Sequence, residues 1–224
     1  LKLSNNLVSI GNFAFCDCHS LSSIDMPSSV KTIGKGAFNN KKYSYYDSYD
    51  VPNIKTVNIS SLESWLNINF ESETSNPLYT GGAKLFVNGE LLEKDLVIPD
   101  GTEEIHSFAF FGYKFINSLT IPNSVKSIGK RVFNDCKNLS KINISSLESW
   151  LKVKIDADES YNSSPFPIAD WFVNNEKITD VVIPDSTISL SPFAFCGWHS
   201  LKSVTIPHSL KRIGRNAFLY DCSL

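Results

Sequence analysis

The side chains able to do chemistry are scattered along this sequence rather than gathered. Its four histidines, His19, His106, His199 and His208, show no metal-binding spacing such as H-E-x-x-H. His19 and His199 each precede Ser-Leu, where the corresponding middle stretch carries Phe115, which marks a half-exposed loop position rather than a ligand. Asp156-Ala-Asp158-Glu159 gathers three carboxylates. A calcium loop would also need a further spaced oxygen ligand, a turn glycine and a distal glutamate, and this stretch reads instead as a solvated loop. Gly34-Lys-Gly36 holds part of a nucleotide fingerprint without its third glycine, and Gly81-Gly82-Ala-Lys84 lacks the Ser or Thr that should follow its lysine. There is no G-x-S-x-G elbow. The sequence therefore points to no catalytic residue, no metal and no cofactor.

Five cysteines are present, an odd number, and none forms a C-x-x-C pair. Cys16 and Cys18 follow Phe15, Cys136 follows Phe133 and Cys196 follows Phe195, by one or three residues, while Cys222 follows Phe218 by four. The matching slots elsewhere hold Phe111, Tyr113 and Trp198, so these read as core thiols rather than bridges or zinc ligands. Asn-x-Ser sequons stand at Asn58, Asn138, Asn143 and Asn162, as an Asn- and Ser-rich chain produces by chance.

Composition narrows the class. Of 224 residues, 42% are apolar and 20% charged, the balance of an ordered chain. Basic residues number 21 and acidic residues 23, a net charge of −2, without the basic stripe that a nucleic-acid binder needs. No stretch approaches the roughly 20 apolar residues of a membrane helix.

The elements that would position any site are repeats. Residues 119–136, LTIPNSVKSIGKRVFNDC, carry an apolar pair, Pro, an apolar residue, Ile-Gly, and an apolar residue before Phe. The same skeleton stands at residues 24–38 and 204–218, with looser copies at 3–15, 97–110 and 182–195. Phe15 and Phe38, Phe110 and Phe133, and Phe195 and Phe218 are each 23 residues apart. A longer period of 85 residues carries Ile59-Ser-Ser-Leu-Glu-Ser-Trp65 to Ile144-Ser-Ser-Leu-Glu-Ser-Trp150. Such periodicity means a solenoid, in which each unit buries its apolar face only by stacking on its neighbours.

Within a unit, Leu119 and Ile121 alternate with Thr120 as in a strand, and so do Val204 and Ile206 with Thr205; Pro122 and Pro207 end those strands. Val125 and Ile128 supply a second inward pair. Gly129 is expected to turn a corner with positive φ, and residues 130–136 to form a short helical or 3₁₀ turn. Ser60-Ser-Leu-Glu63 and Ser145-Ser-Leu-Glu148 predict capped short helices carrying Trp65 and Trp150. Asn76-Pro77 and Ser164-Pro165 signal loops. Asn88-Gly89, and Asn174-Asn175 in the second copy, predict hairpins that bulge from the solenoid or fill one extra coil.

The pattern x-I-P-x-x-[VL]-x-x-I-G-x-x-[AV]-F-x-x-C-x-x-L, matched throughout residues 119–139, resembles the 23-residue leucine-rich repeats of the BspA-like class. The chain departs from it at Ser4, where Pro is expected, at Lys41, where Cys is expected, and in a Tyr-rich insertion. The resemblance implies one leucine-rich-repeat solenoid over residues 1–224. It would be an α/β-class, β-rich, right-handed curved superhelix, with a parallel sheet on one face, short 3₁₀ or helical turns and hairpin insertions. It further implies a secreted or cell-surface protein that binds other macromolecules and carries no catalytic motif. The mid-repeat ends suggest a fragment of a longer protein, taken as a monomer without membrane insertion.

Two surfaces are binding candidates. One is the outward row of the sheet, Asp25, Asn58, Val97, Thr120, Asn143, Val182 and Thr205. The other is the insertion at residues 42–53, where Tyr43, Tyr45, Tyr46 and Tyr49 stand beside Asp47 and Asp50; tyrosine gives large amphipathic contact at low entropic cost. The expected function is non-enzymatic adhesion or protein binding. The alternative is a stalk that presents an adjacent enzyme or anchoring domain.

Overall fold

The computed structural model describes residues 1–39, 54–79, 82–156, 164–220 and 223–224. They wind as a β-solenoid. Its principal face is built from short parallel strands, one per coil. Ser23–Met26, Thr56–Ile59 and Lys84–Val87 pair in order. Lys94–Val97, Ile116–Ile121, Lys141–Ile144 and Asp170–Val173 form the next run, and Asp180–Val182 pairs with Ser203–Thr205.

Register follows from the alternation. Leu96, Leu119, Ile142 and Trp171 lie side by side across four strands, and all are buried. Ile24, Val57 and Leu85 form the equivalent inward row. A one-residue slip would turn every one of these side chains to solvent, so burial fixes the register. Each such aliphatic contributes about 1.5–3 kcal/mol over the exposed state. Where proline follows the strand, at Pro27, Pro99, Pro122, Pro184 and Pro207, its carbonyl accepts a turn hydrogen bond from the residue three positions on, as in Val125 N–H to Pro122 O at 3.3 Å. Ile206 is 50% exposed where its counterpart Ile121 is 2%, since among the described residues no coil stacks on its far side.

A second parallel ladder, not anticipated from the sequence, runs beside the first. Ser9–Ile10, Thr32–Ile33 and Asn69–Phe70 pair in one run, and Glu104–Ile105, Ser127–Ile128 and Lys154–Ile155 in another. These pieces hold Ile10, Ile33 and Ile128, each followed by Gly, inward, whereas Ile213 of the last Ile-Gly pair is exposed. The glycine that follows does not have the expected positive φ. A Cβ on Gly129 would stand 2.6 Å from Ser107 Oγ, and one on Gly34 would stand 2.6 Å from Asn12 N. Glycine is needed there because the neighbouring coil passes against it, not because of its own dihedral.

The positive φ falls elsewhere, and it rules out the helical turn expected over residues 130–136. Arg131 and Asp135 are both left-handed, as are Phe13 and Asp17, Phe108 and Gly112, and Phe193 and Gly197. These flank each repeat phenylalanine at two residues on either side. In consequence alternate N–H groups point along the solenoid axis. Phe108, Phe110 and Gly112 donate to Lys130, Val132 and Asn134 carbonyls of the next coil at 3.2, 3.1 and 2.8 Å. Phe193, Phe195 and Gly197 repeat the arrangement on Arg215, Ala217 and Leu219. The intervening residues close i to i−3 turns, as in Phe111 N–H to Phe108 O at 3.0 Å. The phenylalanine rings stack in step: Phe110 on Phe133 at 5.6 Å, then Phe133 on Phe166 at 5.6 Å.

The two helices, Leu62–Leu66 and Leu147–Trp150, are far too short to persist alone. Their N-caps are Ser61 and Ser146, one residue later than the Ser-Ser-Leu-Glu pattern suggests, and each accepts from the backbone N–H of Ser64 or Ser149. Tertiary contacts hold them. Trp65 and Trp150 are buried, and their indole N–H groups donate to Ala109 O and Ala194 O at 3.0 and 2.8 Å. Asn76, expected in a loop, is buried too. Its amide donates to Phe108 O and Ala109 O, and its Oδ1 accepts from Leu78 N–H.

Both hairpins form. Lys84–Val87 returns through Asn88-Gly89 into Glu90–Leu91, and Asp170–Val173 returns through Asn174-Asn175 into Glu176–Lys177. All four turn residues have positive φ, as a two-residue type I′ turn requires. Since the first strand of each hairpin lies in the parallel sheet, the interrupted unit fills an extra coil rather than bulging away.

Candidate functional site

The outward row of the principal face is the surface best placed to meet a partner. Residues opposite one another in register share a face. Asp25, Asn58, Phe86 and Leu91 therefore stand in one line. Val97, Thr120, Asn143, Phe172 and Lys177 stand in the next, and Val182 and Thr205 continue it. Val97 is 59% exposed and Val182 68%, so two aliphatics 85 residues apart face solvent at the same place in the repeat.

Asn143 corrects the sequence expectation. It is buried at 8% exposure, because its Oδ1 accepts from the Asn175 N–H of the hairpin turn at 2.8 Å. Phe86 and Phe172 were missed in the row. Their strands are apolar on both faces, Leu85-Phe86-Val87 and Trp171-Phe172-Val173, which obscures the alternation. Both are half-buried, and Lys141 Nζ sits 4.6 Å from the Phe172 ring centroid.

A second row, two residues earlier along each strand, is polar. Ser118 Oγ donates to Asp95 at 2.5 Å, and Lys177 pairs with Asp170 at 2.7 Å. Ser203 donates likewise to Asp180, with Thr179 as a second donor, and these bonds hold the Asp180 carboxyl below its usual pKa.

Tyr43, Tyr45, Tyr46, Asp47, Tyr49 and Asp50 lie outside the described residues, as do Asp158, Glu159, Asn162 and Cys222. The other chemical candidates are placed. His19, His199 and His208 are exposed, more fully than a half-exposed loop position implies for the first two. His106 Nε2 stands 4.0 Å from Glu104. Cys136 and Cys196 are buried thiols, as expected of core slots, whereas Cys16 is half-buried and Cys18 exposed. Burial pushes the Cys136 thiol up to about 12 and its Sγ donates to Phe110 O, so it is an inert core group. Cys16 is likewise raised, first by burial and then by Asp17. Among the described residues, no group of three or more His, Cys, Asp or Glu side chains is placed to hold a metal ion. Among the same residues, no helix is long and apolar enough to cross a membrane.

A family model described as BspA type leucine rich repeat region matches residues 1–94, 80–154 and 169–224 in six copies. No curated protein matches the chain. Among solved structures, the chain is similar to a leucine-rich repeat protein from Eubacterium ventriosum, at 22% identity and TM-score 0.45, over 97% of this chain and 50% of that one. It is similar to another from Bacteroides ovatus, at 20% identity and TM-score 0.41, over 100% and 59%. A leucine rich cell surface protein from Faecalibacterium prausnitzii is 18% identical at TM-score 0.40, over 97% and 65%. The chain thus spans between half and two thirds of the length of these three proteins.

Proposed function

Because the chain belongs to the BspA-type leucine-rich repeat family, we propose that it is a non-enzymatic binding module of a secreted or cell-surface protein, taking macromolecular partners on its solenoid surface. The observation that carries this reading is the outward row. Val97 and Val182 expose aliphatic side chains at matched positions, beside half-buried Phe86 and Phe172. A solenoid offers an extended face of this kind rather than a deep enclosed pocket. The tyrosines of the insertion, Tyr43, Tyr45, Tyr46 and Tyr49 with Asp47 and Asp50, belong to the proposal as a second contact region.

The test is a screen of the chain against arrayed purified proteins and polysaccharides, followed by two variants. V97D/V182D keeps the inward row and is expected to weaken a captured partner about tenfold or more. Y45S/Y46S/Y49S tests the insertion in the same assay. Capture unchanged by both would remove the two surfaces from the proposal. A hydrolytic activity abolished by one substitution in this chain would overturn the non-enzymatic reading. A chain that captures nothing, and whose deletion alters only the display of a neighbouring domain, would favour the stalk.

A further inference from the structure

A cavity of about 540 Å³ opens at the carboxyl ends of the first strands of the principal face, between Lys2, Asp25, Asn58, Ser60 and Asn88. This is within the range of about 300–1,000 Å³ typical of small-ligand sites. Its polar groups come from successive coils: Asp25 from Ser23–Met26, Asn58 from Thr56–Ile59, and Asn88 from the first hairpin turn. Its apolar lining that reaches the surface is Leu3 and Pro27, both half-buried.

From this lining we propose a saccharide-binding site, taking one unit of a neutral glycan. It rests on the binding reading above and names the ligand chemistry of one part of that surface.

Charge is the first reason. Among the described residues, Lys2 and Asp25 are the only charged side chains in the lining, and they cancel. A phosphate, a sulfated sugar or a polycation would find no net field.

The second reason is the donor and acceptor set. Asn58 Nδ2 donates to Asp25 Oδ1 at 2.6 Å. That bond holds a carboxylate and an amide side by side. It leaves Asp25 Oδ2 as an acceptor, and on Asn58 the oxygen and the second amide hydrogen. Two adjacent hydroxyls, each both donor and acceptor, match such a pair, and bonds to the ionised carboxylate are the stronger ones. Half-buried Leu3 and Pro27 offer an apolar patch for the C–H face of a pyranose ring.

The third reason bears against a peptide strand pairing with Ser23–Met26. Strand addition needs a free sheet edge. Here Ser23–Met26 is paired on one side by Thr56–Ile59, and on the other Asp25 N–H donates to Leu1 O at 2.8 Å. Ser23–Met26 itself therefore offers no edge to an incoming backbone.

The second copy of the long repeat lacks these features. Thr120 stands where Asp25 does, relative to the repeat phenylalanine, and Asn143 spends its oxygen on the hairpin turn. It supplies the internal control.

Saturation-transfer NMR on the whole chain tests the site, with maltotriose, cellotriose and mannotriose as probes and trialanine as the peptide comparator. Transfer to at least one trisaccharide and none to trialanine is expected. D25A should weaken that binding about tenfold, the loss of one charge-assisted bond, with T120A leaving it unchanged. Asp25 is exposed, so D25A should fold; N58A, checked by its melting curve, is the second variant. No transfer to any of the three sugars, transfer that survives both variants, or displacement of the sugar by trialanine would each overturn the proposal. Because the probes are trisaccharides, such a failure leaves the V97D/V182D capture result standing on its own.

Discussion

The two copies of the 85-residue repeat share a frame and differ at its outward face. In both, an indole N–H reaches a carbonyl 44 residues on, Trp65 to Ala109 and Trp150 to Ala194. In both, a hairpin with two positive-φ residues closes the extra coil. Yet the matching asparagines do different things. Asn143 is buried and ties the turn at Asn175, whereas Asn58 is half-exposed and reaches sideways to Asp25. The turns account for part of the difference: the first has Gly89 where the second has Asn175, and no hydrogen bond joins Asn58 to its own turn among the described residues. One copy consumes its amide in the fold, and the other leaves it available at the surface. In a repeat protein, comparing copies separates what the coil requires from what it only permits.

The frame should fail first and hardest. Phe133 is fully buried and stacked between Phe110 and Phe166. Among the described residues Phe38 stacks on one ring, Phe15, at 5.5 Å. F133A should cost about 3–5 kcal/mol in chemical denaturation, with F38A costing less. Equal losses in the two variants would mean that ring stacking adds little to the burial of either side chain. A small loss at Phe133 would contradict the inward register itself.

The glycines come next, and they should behave alike. G34A and G129A each drive a methyl into the preceding coil, against Asn12 N and against Ser107 Oγ and its backbone. Each should cost about 1–3 kcal/mol by overpacking. A harmless G129A beside a costly G34A would show that the coils can spread at one copy and not at the other.

These sites mark what the sequence made legible. Period, strand register, hairpins and core phenylalanines all follow from residue type at fixed offsets, because burial and turn chemistry act locally. The need for glycine at position 129 was visible, but its cause was not. A positive φ and a close approach both select glycine, and only the neighbouring coil tells them apart. The turn of residues 130–136 was misjudged for a related reason. Its left-handed residues, Arg131 and Asp135, are not glycines, and hydrogen bonds to other coils support them rather than local propensity. Phe86 and Phe172 escaped notice because an apolar residue on each side of a strand erases the period-two signal. The partnership of Asn58 with Asp25 joins residues 33 apart across an irregular insertion, a spacing that no fixed period predicts.

The smallest effect bears most directly on the comparison. N143A removes the acceptor of a hydrogen bond from Asn175, whose N–H must then turn to water, and should cost about 0.5–1.5 kcal/mol. N58A removes a partly exposed bond to an exposed carboxylate and should stay within about 0.5 kcal/mol of the parent. Urea titration of both variants reads the difference directly. If N58A proves the costlier, Asn58 is a structural tie like its counterpart, and the two copies differ in partner but not in role. If the order holds, the first copy keeps an asparagine that its coil does not need for stability, paired with an aspartate that the second copy lacks. An amide so placed is free to serve a ligand, and the cavity beside Leu3 and Pro27 is where that ligand would meet it.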